Sequence, residues 1–168
     1  GVEHMEDNPQ WHGKAPNPQI VPIIEDELDS QFMIAPSIIA GDMSNLEKEV
    51  ERCRVGRADY IHLDVMDGQF VPNKTFDHTK IKELRPLTLI PFDAHLMINE
   101  PVKHVRNYID AGSDIITVHA EVCDESSFGE ICDMLRSSQV GIGLAINPDT
   151  ELPQWCYKFV ELLDQIII

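Results

Sequence analysis

The sequence predicts an α/β fold, an incomplete (β/α)₈ TIM barrel with about six strands and five helices. Three observations lead to this prediction. Short runs of β-branched and apolar residues alternate with amphipathic stretches, as in a chain of βα units. The strand segments are almost continuously apolar, which is typical of a parallel sheet covered by helices. Polar residues recur where successive strands end, and a barrel brings such ends to one mouth, whereas an open sheet spreads them along an edge.

The predicted elements follow one another from residue 32 to the end of the sequence. Strands are expected at 32–39, 60–65, 90–98, 115–120, 141–146 and 163–168, and helices near 42–55, 77–84, 100–111, 126–138 and 152–160. Eight βα units need roughly 200 residues or more. We therefore expect an incomplete barrel, with the sequence ending in or just after the sixth strand.

Local signals mark the ends of two predicted helices. Ser44 followed by Glu47 is a capping-box pattern for the first helix. Pro101 after Glu100 suits the first turn of a helix, and Gly112 provides its stop. These signals place helix boundaries between the apolar runs, as the alternation requires.

Residues 1–31 differ from the rest of the chain. Prolines interrupt every element that could form there, and acidic residues greatly outnumber the single Lys14. Such a segment can bury little apolar surface, so we expect an irregular, Pro-rich acidic extension. The predicted organisation is this extension over 1–31 and a partial barrel domain over 32–168.

The acidic composition indicates which kinds of molecule the protein can bind. The net charge of −16, from 29 acidic and 13 basic residues, argues against binding to nucleic acid or to an anionic membrane. A small anionic substrate is compatible with it, because helix N-termini bind phosphates locally. No apolar run is long enough to span a membrane, and the four cysteines lack CxxC spacing, as is usual for reduced, buried thiols. These features predict a cytoplasmic protein.

Two imidazoles and a carboxylate occupy matching positions on neighbouring strands. In the run 62–66, His62, Asp64 and Met66 face one side because strand side chains alternate, and Asp67 with Gly68 then turns the chain out of the strand. His95 is offered by the next strand at a similar height. Such a donor set suits Zn²⁺, Fe²⁺, Mn²⁺ or Co²⁺. Spacing alone also allows a second interpretation, in which these polar groups line a barrel mouth and bond to one another.

Other residues near the strand ends carry weaker signals. Ser37 ends the first predicted strand, and His119 ends the fourth, two residues before Glu121. A lone histidine at a strand end is more often a hydrogen-bonded structural group. Met66 and Met97 flank the proposed ligands on the inward side, where methionine could be core filler or a soft wall around a bound molecule.

Five segments together resemble the ribulose-phosphate 3-epimerase family. They are APSIIAGD, ADYIHLDVMDGQFVPN, FDAHLMI, AGSDIITVHAE and VGIGLAINPDT, spread over residues 32–168. The LDVMDGxFVPN run is highly specific. The resemblance implies a (β/α)₈ barrel that interconverts D-ribulose 5-phosphate and D-xylulose 5-phosphate by metal-assisted proton transfer at C3 through an enediolate.

The resemblance also implies roles for single residues. His62, Asp64 and His95 match the positions that bind one divalent metal ion, Asp64 matches a catalytic acid/base, and Ser37 matches a substrate contact. His95 would thus lie at the substrate as well. Met66 and Met97 match methionines beside the reacting carbons. Family members often form homo-oligomers, so a homo-oligomer is an expectation from the same resemblance.

Parts of the family site fall on strands seven and eight, which this sequence does not contain. They include a second aspartate, which is also a fourth metal ligand, and the glycine-rich loops that hold the phosphate. Two alternatives therefore stay open. The substrate could be a related ketose phosphate such as allulose 6-phosphate, or the chain could be a truncated, non-catalytic barrel fragment that serves as an interaction module. Decarboxylase and aldolase barrels are disfavoured because no predicted strand end offers a lysine.

Overall fold

The computed structural model of the protein describes residues 32–168. By its contacts the chain divides into two units, Gly1–Ile34 and Ala35–Ile168, and the strands and helices of the described residues lie in the second. The extension predicted over residues 1–31 lies outside the described residues.

Within residues 32–168, five parallel strands form one sheet. They are β1 Ile61–Met66, β2 Phe92–Met97, β3 Ile115–His119, β4 Gly141–Ala145 and β5 Gln165–Ile167. Each strand pairs with the one before it, so their order in space follows the sequence. A doubly wound sheet would reverse direction at a switch point, whereas a barrel keeps this order. The prediction of a parallel, barrel-type α/β fold is confirmed.

Helices follow the strands on one face of the sheet. The α-helices of the described region are α1 Leu46–Val55, α2 His78–Leu84, α3 Val105–Asp110 and α4 Glu125–Ser137. Short 3₁₀ turns span Ile38–Ala40, Arg85–Leu87, Pro101–Lys103 and Ala120–Val122, and a longer 3₁₀ helix spans Gln154–Leu162. The helix predicted near 152–160 is therefore 3₁₀ rather than α, and the one predicted at 100–111 is divided between a 3₁₀ turn and α3. Gly112, with φ 98°, follows α3 as predicted.

The first predicted strand, at 32–39, is wrong as a full strand. Only Ser37 pairs with the sheet, in a single parallel bridge to His62, and the His62 N–H donates to the Pro36 carbonyl at 2.9 Å. Proline has no N–H to continue a ladder, and the chain turns into a 3₁₀ helix directly after Ser37. This one bridge still brings Ser37 to the edge of β1.

The capping box predicted at Ser44 is also wrong. Helix α1 begins at Leu46, and the side chain of Asn45 accepts a hydrogen bond from the Lys48 N–H at 3.2 Å. Ser44 instead donates to Asp42 Oδ1, from its hydroxyl at 2.6 Å and its N–H at 2.9 Å. The nearby carboxylate competes for Ser44, and the next residue along takes the cap position.

The two faces of the sheet differ in chemistry. Alternate residues of β1 are fully buried, and this helix-facing side carries the apolar core, which includes Ile61, Leu63, Val65, Phe92, Leu96, Ile116, Val118, Ile142 and Leu144. Burying a large aliphatic or aromatic side chain contributes about 1.5–3 kcal/mol. The opposite side carries histidines, carboxylates and a threonine. The apolar side of the sheet therefore packs against the helices, and the polar side carries the side chains that could bind a ligand.

Among residues 32–168, no helix is both long enough and apolar enough to cross a membrane.

The four cysteines all lie in this region and are free. Cys53, Cys132 and Cys156 are buried, and Cys123 is half-buried. Burial raises the pKa of the Cys123 thiol to about 12, so this thiol is a weak nucleophile.

Candidate metal centre

Strands β1 and β2 place the candidate ligands on the polar side of the sheet. Strand alternation puts His62 and Asp64 on the side opposite Leu63, and the register pairs Asp64 of β1 with His95 of β2. Neighbouring parallel strands lie about 4.8 Å apart, so paired side chains on one face are within reach of each other. The fold therefore brings residues 31 positions apart in sequence into one cluster.

The three side chains converge on one oxygen atom. His62 Nε2 lies 3.0 Å from Asp64 Oδ1, and His95 Nδ1 lies 3.2 Å from the same oxygen. One ligand atom from each residue lies within 4.8 Å of the others. Two imidazole nitrogens and a carboxylate oxygen match the donor set of Zn²⁺, Fe²⁺, Mn²⁺ or Co²⁺ in proteins. The residues present therefore fit a divalent transition-metal ion.

Ser37 and Thr75 hold Asp64 in place. The Ser37 hydroxyl donates to Asp64 Oδ2 at 2.5 Å, and the Thr75 hydroxyl donates to the Asp64 carbonyl at 2.7 Å. Thr75 Oγ1 in turn accepts from the Met66 N–H at 2.9 Å. The sequence singled out Ser37 for contact with a substrate; in this structure its hydroxyl contacts the Asp64 carboxylate.

The electrostatics of the cluster favour charged forms. Burial alone would raise the pKa of Asp64, but hydrogen bonds from His62, His95 and Ser37 hold it well below its ordinary value. Burial alone would lower the pKa of His62, but hydrogen bonds to Asp64 and Asp93 outweigh it and raise the pKa to about 9. Without a cation, His62 is thus an imidazolium between two carboxylates. A divalent ion would replace that proton as the positive charge.

Comparison with known proteins identifies the family. The sequence model described as "Ribulose-phosphate 3 epimerase family" matches residues 33–168. The chain belongs to the ribulose-phosphate 3-epimerase family.

Individual members of this family are similar over most of the chain. A ribulose-phosphate 3-epimerase from Bacillus subtilis is 40% identical over 117 residues, 70% of this chain and 53% of the relative. A chloroplastic ribulose-5-phosphate-3-epimerase from Arabidopsis thaliana is 35% identical over 139 residues, 83% of this chain and 49% of the relative. The chain thus spans about half the length of the curated relatives it matches.

A solved structure supports the fold alone. L-talarate/galactarate dehydratase from Salmonella typhimurium LT2 superposes with a TM-score of 0.56 and 14% identity, over 89% of this chain and 35% of the dehydratase. At that identity the likeness concerns the arrangement of strands and helices and carries no statement about the reaction.

In this member of the epimerase family, a set of polar contacts that sequence reasoning did not single out supports His62. His62 Nδ1 lies 2.8 Å from Asp93 Oδ2. The Gln165 amide donates to Asp93 Oδ1 at 2.7 Å and to Thr117 Oγ1 at 2.6 Å. A carboxylate on the second nitrogen of a metal-binding imidazole fixes the ring's orientation and tautomer. In the sequence, Asp93 alternates with His95 on the same strand, which indicated that the two side chains share a face. Gln165 is a single polar residue in an otherwise apolar segment, and nothing in the sequence indicated that it reaches Asp93.

A second set of contacts lies on the other side of the cluster. His95 Nε2 lies 2.7 Å from His119 Nε2, and His119 Nδ1 lies 3.3 Å from Glu121 Oε2. The Phe70 ring, from the loop after β1, lies against His119 with ring centroids 5.0 Å apart. From sequence, His119 and Glu121 were two separate weak signals; the structure connects both to His95.

Met66 and Met97 lie one step further along their strands. The register pairs them directly, on the same face as Asp64 and His95 and nearer the C-terminal strand ends. Met97 is buried yet is no part of the helix-facing apolar core. Both methionines therefore border the candidate metal centre on the side where the strands end.

Proposed function

We propose that this protein acts as a ribulose-phosphate 3-epimerase, interconverting D-ribulose 5-phosphate and D-xylulose 5-phosphate by metal-assisted proton transfer at C3. The observation that carries the proposal is the convergence of His62, Asp64 and His95 on one point of the sheet, in a chain of the epimerase family.

Asp64 is the residue proposed to move the proton. The bonds from His62, His95 and Ser37 keep its carboxylate ionised, as a group that accepts a proton must be. His62, Asp64 and His95 would hold one divalent ion of the Zn, Fe, Mn or Co type. Such an ion, when bound, polarises the carbonyl beside C3 and stabilises the negative charge that develops as the proton leaves.

Ser37, His95, Met66 and Met97 are proposed to contact the substrate. The two methionines offer a polarisable apolar surface at the strand ends, beside the carboxylate that is proposed to exchange the proton. Ser37 and His95 already contact Asp64, so a substrate at Asp64 would lie within their reach. The partner proposed is thus a small sugar phosphate. With a net charge of −16, nucleic acid and anionic membranes are not proposed as partners.

An epimerisation assay tests the proposal. The purified chain is assayed with D-ribulose 5-phosphate after chelation and after addition of Zn²⁺, Fe²⁺, Mn²⁺ or Co²⁺, with D-allulose 6-phosphate as a parallel substrate. We expect metal-dependent turnover, and we expect Asp64→Asn to lower it by about 10²-fold or more, since a positioned acid/base contributes on that order. Asp133→Asn, an exposed carboxylate on α4, is the matched control. Absence of turnover with every metal would contradict the proposal.

We propose the cytoplasm as the location. The free cysteines of residues 32–168 are the supporting observation, since thiols stay reduced in a reducing compartment. Location of a tagged chain by microscopy tests it, and a plastid signal would point to the compartment named for the Arabidopsis thaliana relative.

A further inference from the structure

A line of contacts leads away from the candidate metal centre through β3. His119, the last residue of β3, is 5% exposed, and its Nε2 lies 2.7 Å from His95 Nε2. Its Nδ1 lies 3.3 Å from Glu121 Oε2. The Asn147 N–H donates to Glu121 Oε1 at 2.7 Å. The line therefore connects His95 to the loop after β4.

The contact between the two histidines is a hydrogen bond in the plane of the rings. The rings are nearly parallel, at 13°, with centroids 4.9 Å apart. The planes of two rings stacked face to face lie about 3.5 Å apart, so no atom of one ring can come closer to the other than that. The two Nε2 atoms are only 2.7 Å apart, so the rings are not stacked. The rings therefore meet edge to edge. One of the two Nε2 atoms must carry the proton and the other must accept it.

Glu121 sets the direction of that hydrogen bond. Burial would raise the pKa of Glu121, but hydrogen bonds led by the Asn147 N–H hold it below its ordinary value, so the carboxylate is ionised and can only accept. It takes the Nδ1 proton of His119. A cation bound at Nδ1 of His95 leaves the proton of that ring on Nε2, 2.7 Å from His119 Nε2. His119, whose own proton is on Nδ1, then accepts it.

We infer that His119 and Glu121 are positioning residues: they fix His95 with its proton on Nε2, which leaves Nδ1 to bind a cation beside Asp64. The inference rests on the metal centre of the proposed function. Metal-binding imidazoles generally donate their second N–H to an outer acceptor, and removing that acceptor lowers metal affinity by about 10–100-fold. For His62 the acceptor is Asp93. For His95 it is a second imidazole, itself oriented by a carboxylate.

The proton positions can be read directly. Ring ¹⁵N chemical shifts of the zinc-loaded chain report which nitrogen of each histidine is protonated. We expect His119 to carry its proton on Nδ1 and His95 to carry one on Nε2. A proton on Nε2 of His119 in the zinc-loaded chain would overturn the inference.

Zinc affinity, measured by calorimetry, gives a second and independent readout. We expect His119→Leu to bind Zn²⁺ about 10–100-fold more weakly than wild type, because the acceptor is lost. His119→Gln, whose amide oxygen can take the same bond, should restore affinity close to the wild-type value. A purely structural role would lower the melting temperature of both variants without this difference in zinc affinity.

Glu121→Gln tests the same point without touching either histidine. The Asn147 N–H would keep the amide oxygen, so the amide N–H would face His119 and favour the reversed tautomer. Zinc affinity should fall, while Glu130→Gln on the exposed side of α4 should not change it. If His119→Leu and Glu121→Gln both bind zinc as tightly as the wild type, the positioning role of His119 and Glu121 is wrong, while the metal centre itself stands. A wild-type chain that binds no zinc would contradict the metal centre as well.

Discussion

Asp64 is the residue at which the interactions of the site meet. Its Oδ1 faces both His62 and His95, and its Oδ2 accepts from Ser37. In the metal-free state these bonds compensate a carboxylate that is largely removed from water. An imidazole binds a cation only through a nitrogen that has lost its proton. A divalent cation at the proposed site would therefore compete with protons for the same three residues.

The raised pKa of His62 predicts a pH dependence of stability in the metal-free chain. Its value is about 9 in the folded protein and about 6.5 when unfolded, so the charged form is favoured by folding. The stabilisation is complete below about pH 6.5 and is lost as the pH rises through about 9. With chelator present, we expect the free energy of unfolding to fall by on the order of 3 kcal/mol across this window.

Denaturant titrations at several pH values measure this dependence, with His62→Gln as the comparison. The variant lacks the titrating imidazole and should lose most of the decrease between pH 6.5 and 9. An equal decrease in both proteins would show that other groups are responsible and would contradict the raised pKa of His62.

Among the elements, β4 shows how closely the polar side of the sheet is packed. A Cβ atom at Gly143 would lie 1.9 Å from Thr117 Oγ1, on the neighbouring strand. Thr117 is fully buried and bonded to Gln165, so it cannot move without breaking that contact. The absence of a side chain at Gly143 is therefore a requirement of the sheet.

Gly143→Ala should accordingly destabilise the protein by about 1–3 kcal/mol, the usual effect of overpacking. Gly129→Ala is the matched control: on α4 the added Cβ would lie 3.7 Å from Phe159 Cζ, an ordinary contact. It should stabilise the helix by about 0.5–1 kcal/mol. Thermal unfolding of the two variants measures the difference, and equal effects at both glycines would contradict the close packing of Gly143 against Thr117.

Helix α1 is capped at its N-terminus by Asn45. Asn45→Ala removes the side chain that caps the helix and should cost about 1 kcal/mol. Ser44→Ala removes only an exposed bond to Asp42 and should change stability by less than about 0.5 kcal/mol. Denaturant unfolding of both variants compares them. A larger loss of stability for Ser44→Ala than for Asn45→Ala would show that Ser44 caps the helix, as the sequence predicted.

The elements also show what the sequence could and could not predict. Hydrophobic periodicity located β1 to β5 to within about two residues, because buried strands leave a strong local pattern. It overextended the first strand, since an apolar run does not reveal that pairing ends at Ser37. The choice between Ser44 and Asn45 depended on how one carboxylate, Asp42, is oriented. Such choices are made by geometry that residue types alone leave open.

At the scale of the whole molecule, the sheet joins residues that are far apart in sequence. Alternation on β1 and β2 was enough to predict that His62, Asp64 and His95 share a face. The contact of Gln165 with Asp93 spans 72 residues and depends on the polar side of the sheet curving back on itself. The line through His119 runs between the neighbouring strands β2 and β3 and depends on which rotamers the side chains adopt. The convergence of the three candidate ligands was therefore predictable from sequence, and the contacts that support them were not.

The most direct measurement is the zinc content of the purified chain, by elemental analysis after dialysis against buffered Zn²⁺ at neutral pH. We expect one zinc ion per wild-type chain, and near-complete loss of zinc when His62, Asp64 and His95 are all replaced by alanine in a chain that still folds. Equal zinc content in wild type and this triple variant would contradict the proposed metal centre.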